Sequence, residues 1–159
     1  MINFIKDIKV RAVLAALTLL MLFFIFGMSA FNGDDSAEMS GGLLEYINLF
    51  LANFGLGDFL TDHILRKAAH YTEYFILGML YLSDVLSWTG DLKKCRIYPL
   101  PAGFLTACLD EFSQFFSEGR TPGLKDVFID FSGVLTAVLI ISLIIIFVRK
   151  NKNRKELCP

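Results

Sequence analysis

The sequence predicts an all-α membrane protein in which four transmembrane helices form a bundle and one amphipathic helix lies at the outer membrane interface. Hydrophobic residues make up 55% of the 159-residue chain, and the mean hydropathy is +0.56. These residues fall in long blocks, which is typical of helices that cross a membrane. Ionisable residues crowd beside the blocks, where a charge is costly and usually marks a site. Residues 1–159 are expected to form a single domain.

The N-terminal third contains the predicted first crossing and the interfacial helix. Residues 12–31 are apolar and, at 1.5 Å per residue, long enough to cross a bilayer once. The run is longer than the apolar part of a signal peptide, so we expect it to stay uncleaved. The polar stretch 32–40 predicts a loop. Apolar residues then recur at helical spacing over 43–54, which predicts the amphipathic helix, either facing lipid or covering the bundle.

Three further crossings are expected in the rest of the chain, at residues 67–88, 97–117 and 126–148. Thr61 or Asp62 can cap the first of these helices. Pro99 and Pro101 fall in the first turn of the next helix, where proline is tolerated. The intervening segment 91–96 is short and basic, and it predicts a turn.

The distribution of positive charge predicts the orientation of the chain. Eleven of the fifteen Lys and Arg residues lie in the N-terminal segment, the 91–96 turn or the C-terminal tail. Basic residues collect on the cytoplasmic side of membrane proteins, so both termini are expected to be cytoplasmic in a multi-pass protein of the plasma membrane. Segments 32–66 and 117–125 are then expected to face outward.

Polar residues that share a helix face meet at the outward ends of three predicted crossings. His70, Glu73 and Tyr74 have i, i+3, i+4 spacing, and Asp126 and Asp130 have i, i+4 spacing. The candidate catalytic residues are His70, Glu73, Asp110, Glu111 and Asp126, and the candidate substrate-binding residues are Lys67, Tyr74, Gln114, Arg120 and Asp130. Carboxylates outnumber the nearby cations, so the group is expected to take up a proton or a cation.

Several chemistries stay open for this group of residues. Imidazole and carboxylate side chains can act as general bases, or hold a hard divalent metal ion whose bound water attacks a phosphoester or an amide. Such a protein would be a hydrolase or transferase acting at the outer leaflet. No H-E-x-x-H or G-x-S-x-G motif is present to identify the metal or the reaction. The alternatives are an ion-pair network in a structural or scaffolding protein, and a small transporter, which the shallow position of the charges disfavours.

Two spaced motifs resemble the signatures of the VanZ-like membrane proteins. The first is Lys67-x-x-His70-x-x-Glu73-Tyr74-x-x-Leu77-Gly78. The second is Asp110-Glu111-x-x-Gln114, followed by Gly119-Arg120 and by Asp126-x-x-x-Asp130-x-x-Gly133. This resemblance covers residues 66–135 and the four-crossing layout. The family usually has asparagine where this chain has Asp130.

The resemblance implies a role in the cell envelope of Gram-positive bacteria, because the family is associated with low-level resistance to teicoplanin-type glycopeptide antibiotics. It implies that the outward site binds or modifies a lipid-linked cell-wall precursor or peptidoglycan. The guanidinium of Arg120 suits a phosphate or a carboxylate of such a molecule. Membrane lipids are the other expected partners. Nucleic acid is not expected, since the basic tail directly follows a membrane helix and resembles a contact for anionic lipid.

Overall fold

The computed structural model describes residues 7–30, 33–55, 60–117 and 123–157, and all regular structure in these ranges is helical. The all-α prediction is therefore confirmed. The helices are α1 (Ile8–Ala30), α2 (Gly33–Ala52), α3 (Asp62–Thr89), α4 (Leu92–Ile97), α5 (Pro99–Gln114) and α6 (Leu124–Leu157).

Two helices are long and apolar enough to cross a membrane. One is α1, with 23 residues and a mean hydropathy of 2.4 in its most apolar window. The other is the Leu124–Val148 part of α6, with 25 residues and a mean hydropathy of 2.8. Most residues in both windows are on the outside of the protein, which suits contact with lipid. Among its described residues, the chain thus has two apolar candidate membrane spans.

The other two predicted crossings have a different character. The 28 residues of α3 extend for about 42 Å, but Asp62, Arg66, Lys67 and Glu73 make its first turns polar. The 16 residues of α5 extend for about 24 Å, which is less than the hydrocarbon thickness of about 30 Å. Four crossings therefore stay a prediction.

Two predictions of irregular structure were wrong. The acidic stretch 33–40 is helical, because α2 already begins at Gly33. This stretch contains no proline, and acidic residues near a helix N-terminus are favourable, so its polarity does not prevent a helix. Segment 91–96 is also helical: it forms most of α4, whose N-terminus is capped by the Asp91 carboxylate accepting a hydrogen bond from Lys93 N at 2.8 Å.

The predicted cap at Thr61 is confirmed, and Pro99 lies in the first turn of its helix as predicted, although this helix begins at Pro99 and not at residue 97. The Thr61 side chain accepts a hydrogen bond from Ile64 N and begins α3. Pro99 is the first residue of α5, where its missing N–H leaves no intrahelical bond unmade. At the other end of α3, Gly90 adopts φ +64°, a left-handed conformation that favours glycine and ends the helix.

The amphipathic helix α2 packs against α3 by few contacts. Asn48 joins it to the start of α3, because its side chain donates to Leu60 O at 2.9 Å and accepts from Leu60 N at 3.3 Å. Leu43, Tyr46 and Phe50 are exposed. This apolar surface is what an interfacial helix needs, although its position at the interface stays a prediction.

The central packing contact joins α3 and α6, and two glycines make it close. A Cβ added at Gly133 would lie 2.5 Å from the carbonyl oxygen of Tyr71, and one added at Gly78 would lie 2.9 Å from the Cα of Val134. Both positions therefore require glycine, as is typical where membrane helices touch through their backbones. Fully buried Leu77 and Val134 belong to the core of this interface. Further contacts with α1 and α5 complete the bundle.

Contacts at the two ends show that α5 runs parallel to α1, whereas α3 runs antiparallel to it. At one end, the Ser117 hydroxyl after α5 donates to Ser29 O near the end of α1 at 3.1 Å. At the other end, the Arg11 guanidinium lies 5.0 Å from the ring centre of Trp88. The starts of α3 and α6 therefore lie beside the ends of α1 and α5, which brings the predicted polar residues to one end of the bundle.

Candidate functional site

A histidine and two aspartates from three helices meet at the Ser29 end of the bundle. His70 of α3, Asp110 of α5 and Asp130 of α6 each offer a nitrogen or oxygen atom, and these three atoms lie within 4.8 Å of one another. His70 Nδ1 is 3.9 Å from Asp130 Oδ1. We call these three residues the His–Asp–Asp cluster.

The spacing of glycine and polar residues along α3 and α6 explains why His70 and Asp130 meet. Asp130 lies one turn before Gly133, and the absence of a side chain at Gly133 lets α6 contact the α3 backbone at Tyr71. His70 is adjacent to Tyr71 and one turn before the buried Tyr74. The close contact between the helices therefore places Asp130 opposite His70.

The two aspartates of the cluster are almost completely removed from solvent. Asp110 has 0% of its surface exposed and Asp130 has 1%. Within the described part of the chain, Asp130 Oδ2 has no hydrogen-bond partner. A buried carboxylate oxygen without a partner is strongly unfavourable, so such atoms in a folded protein call for an explanation.

The surroundings of Asp130 are strongly acidic. Asp110, Glu111, Asp126 and Glu73 all lie close enough to interact electrostatically with its carboxylate. Glu73 is half-buried. Among the described residues, it is not one of the three whose ligand atoms converge. His70 is the cationic candidate within the cluster, so the arrangement favours an added positive charge.

Gln114 links the cluster to α1. Its side-chain Nε2 is 3.5 Å from Asp110 Oδ2 and 3.4 Å from Ser29 Oγ, and both Gln114 and Ser29 are buried. Tyr74 is completely buried, and its hydroxyl interacts with Asp110. Ser29 was missed by the sequence reasoning. The sequence feature that could have identified Ser29 is its small hydroxyl side chain near the end of an otherwise apolar run.

Lys67 and Asp126 form an ion pair at the solvent-exposed edge of the site. Lys67 Nζ is 3.0 Å from Asp126 Oδ1, and each side chain is about one-third exposed, at 32% and 33%. Such a pair contributes at most about 1 kcal/mol in contact with solvent. Asp126 therefore has a lysine partner of its own and is not one of the three residues of the cluster.

Glu111 holds the segment that leads into α6. Its Oε2 accepts a hydrogen bond from Gly123 N at 2.9 Å, and the residue is only 7% exposed. This bond ties α5 to Gly123, the residue before α6 and one turn ahead of Asp126. Glu111 therefore helps to position Gly123 at the start of α6, in addition to being an acidic residue of the site. Arg120, the predicted anion-binding residue, lies outside the described residues.

The structure thus assembles most of the predicted residues but divides them by environment. The His–Asp–Asp cluster is buried and includes Asp130, which the sequence placed with the substrate-binding residues. Lys67 and Asp126 pair at the edge, whereas Glu111 and Gln114 bond to a backbone N–H and to neighbouring side chains. Their chemical roles stay predictions.

A comparison with family models matches residues 14–147 to the model described as VanZ/LLP1. The matched region includes the apolar part of α1, all members of the His–Asp–Asp cluster, and α6 through its apolar segment. No curated protein and no solved structure shows a significant match to the chain.

Proposed function

The chain belongs to the VanZ/LLP1 family, and from this premise we propose that it is a cell-envelope protein that lowers susceptibility to teicoplanin-type glycopeptides. In this proposal, the polar site binds or modifies a lipid-linked cell-wall precursor or a peptidoglycan component at the outer leaflet. The proposal concerns a membrane protein, as the family and the two apolar helices indicate.

The observation that carries the proposal is the buried His–Asp–Asp cluster with the unpartnered Oδ2 of Asp130 among the described residues. Polar groups that only hold helices together in a membrane do so by satisfying one another. Here four other carboxylates act electrostatically on the buried Asp130 carboxylate. An arrangement that is unfavourable for stability is typical of a functional site.

We propose that the chain crosses the plasma membrane four times, with cytoplasmic termini and the cluster facing outward. The alternating direction of α1, α3, α5 and α6 supports this arrangement, since Ser29 and Ser117 lie at one end and Arg11 and Trp88 at the other. The predicted cytoplasmic end holds Arg11 and the basic helix α4.

A hydrolase or transferase activity is compatible with the chemistry of the site. His70 is the candidate for moving a proton, because its side chain is 21% exposed and so reaches both the solvent and Asp130. Lys67 at the edge, and Arg120 between α5 and α6 in the sequence, would supply positive charge for a phosphate or carboxylate of the ligand. Glu111 and Gln114 would position these groups through their contacts with Gly123 and Asp110.

Expression in a teicoplanin-susceptible Gram-positive host tests the function. We expect the wild-type protein to raise the minimum inhibitory concentration of teicoplanin by a few-fold. His70→Ala and Arg120→Lys should each abolish this rise while the protein remains in the membrane, as checked by immunoblotting. Arg120→Lys keeps the charge but loses the two-pronged geometry that binds phosphate or carboxylate.

The matched control is Asp84→Asn, which removes a carboxylate from the same helix as His70 but at the opposite end of the bundle. Asparagine can still accept the hydrogen bond that the Asp84 carboxylate receives from Thr18 Oγ1 at 2.6 Å. This variant should keep the resistance. Full resistance in both site variants would contradict the proposed site and favour a structural role for the polar network.

A further inference from the structure

We propose that His70, Asp110 and Asp130 form a binding site for one divalent metal ion of the Mn²⁺ or Zn²⁺ type. This inference rests on the proposed function, because it identifies the cation with which the same site would receive an anionic envelope component. Its starting point is the convergence of one nitrogen and two oxygen ligand atoms within 4.8 Å from three separate helices.

The three atoms are near enough for one ion to draw them together. Ligands bound tetrahedrally to one ion at about 2.1 Å lie about 3.4 Å apart. The distance of 3.9 Å between His70 Nδ1 and Asp130 Oδ1 exceeds this separation by about 0.5 Å. The 4.8 Å limit on the separations in the cluster exceeds it by about 1.4 Å, a contraction that side-chain rotation would supply when the ion binds.

A second observation is independent of this convergence. Asp130 is 99% buried, and its Oδ2 has no hydrogen-bond partner among the described residues. Four groups that act electrostatically on this carboxylate, Asp110, Glu111, Asp126 and Glu73, are acidic, and His70 is the basic group beside it. A divalent cation held by the Asp130 carboxylate would offset the repulsion.

The ligand types narrow the choice of ion. Mg²⁺ and Ca²⁺ prefer sites made only of oxygen atoms, whereas imidazole is typical of transition metals and zinc. One histidine and two carboxylates match the ligands that Zn²⁺ accepts, and Mn²⁺ tolerates the same mixture. Gln114 and Ser29 would form the supporting layer, because Gln114 Nε2 lies between Asp110 Oδ2 and Ser29 Oγ.

The position of the site would let a metal ion enter from solvent and bind an anionic ligand. The His70 side chain is 21% exposed, so the cluster reaches the solvent on its α3 side. Three protein ligands leave coordination positions for water or for oxygen atoms of a ligand. A phosphate or carboxylate could bind there beside Lys67, which lies at the same edge in its pair with Asp126.

The test is a titration of the full-length protein with Mn²⁺. Wild-type protein purified in detergent is stripped with EDTA and freed of chelator, and the electron paramagnetic resonance signal of free Mn²⁺ is followed. We expect one ion to bind per chain and Zn²⁺ to displace it, with Mg²⁺ displacing it far less. Asp130→Asn and His70→Ala should each weaken binding by about 100-fold or more, since loss of a supporting residue alone typically costs 10- to 100-fold.

Asp84→Asn is again the matched control and should bind Mn²⁺ like the wild type. Each variant is first checked for a monodisperse folded preparation. Asp130→Asn keeps the shape of the side chain, so it tests the site even where His70→Ala fails to fold. An absence of stoichiometric binding by the wild type, or equal binding by Asp130→Asn and Asp84→Asn, would overturn the proposal.

The outcomes also separate this inference from the proposed function. Mn²⁺ binding is measured without antibiotic or cell-wall precursor, so a negative titration overturns the metal site while the resistance assay still stands. Conversely, normal Mn²⁺ binding by a protein that confers no resistance contradicts the proposed function and leaves the metal site intact.

Discussion

At the scale of single residues, Asp130 is the side chain whose surroundings suit it least. It is buried among carboxylates, and His70 Nδ1, the basic atom that pairs with it in the described residues, is 3.9 Å away, beyond hydrogen-bonding distance. The motif that this chain resembles suggests asparagine at this position, an uncharged residue of the same shape. The aspartate of this chain therefore adds an ionisable group to a site that already holds several carboxylates.

Asp130→Asn is expected to stabilise the metal-free protein. In the presence of EDTA, replacing the buried Asp130 carboxyl group removes the repulsion that its ionised form meets from Asp110 and Glu111 and should raise the melting temperature by about 2–4 °C. Thermal unfolding in detergent, followed by the fluorescence of Trp88, measures the change. Asp84→Asn is the control and should show no such rise. A lower melting temperature for Asp130→Asn would mean that the carboxylate has a stabilising cationic partner.

At the scale of elements, the site depends on how closely α3 and α6 approach. Alanine at position 133 would place its Cβ 2.5 Å from Tyr71 O and 2.9 Å from Phe75 N, and these backbone atoms cannot move without moving α3. The residues that must meet, His70 and Asp130, lie on the same two helices. Packing and site geometry therefore depend on the same glycine.

Gly133→Ala should destabilise the protein by about 1–3 kcal/mol, the usual cost of overpacking, and should weaken any function of the His–Asp–Asp cluster. The matched control is Gly27→Ala in α1, because a Cβ there meets no atom within 4 Å. That change should be neutral or slightly stabilising, since alanine is the better helix former. Melting temperatures of the two variants in the same detergent provide the comparison. Equal melting temperatures would show that α3 and α6 are not held by backbone contact.

At the scale of the whole molecule, charge is divided between the two ends of the bundle. The end with Arg11, Trp88 and the basic helix α4 is positive, whereas the end with the His–Asp–Asp cluster is acidic. A membrane protein with this asymmetry is expected to keep its positive end in the cytoplasm.

Cysteine labelling in intact cells tests this orientation. In a background without Cys95, Cys108 and Cys158, an introduced cysteine at Ser117 should react with a membrane-impermeant maleimide. The control is Lys93→Cys in α4, which should react only after the membrane is permeabilised. The reverse pattern would invert the topology and would place the polar cluster on the cytoplasmic side.

Much of the secondary structure could be predicted because it depends on local signals. The apolar blocks identified α1 and α6, and the residues Thr61 and Pro99 marked helix starts through their own hydrogen-bonding properties. Polarity misled the prediction at 33–40 and 91–96, since short polar segments form helices when their ends are capped or carry favourable charge. Helix spacing also identified the polar faces, and so most of the candidate site.

By itself, the sequence determined most of the helices, which helix faces are polar, and which family the chain belongs to, because these properties follow from residue type and spacing. Only the tertiary structure decided how the polar residues divide. Asp126 pairs with Lys67, Glu111 bonds to Gly123, and Asp130 joins His70 and Asp110, with Ser29 contributed by α1. These partners depend on the rotation and depth of each helix against its neighbours, which glycine contacts such as that at Gly133 establish and which no single helix encodes.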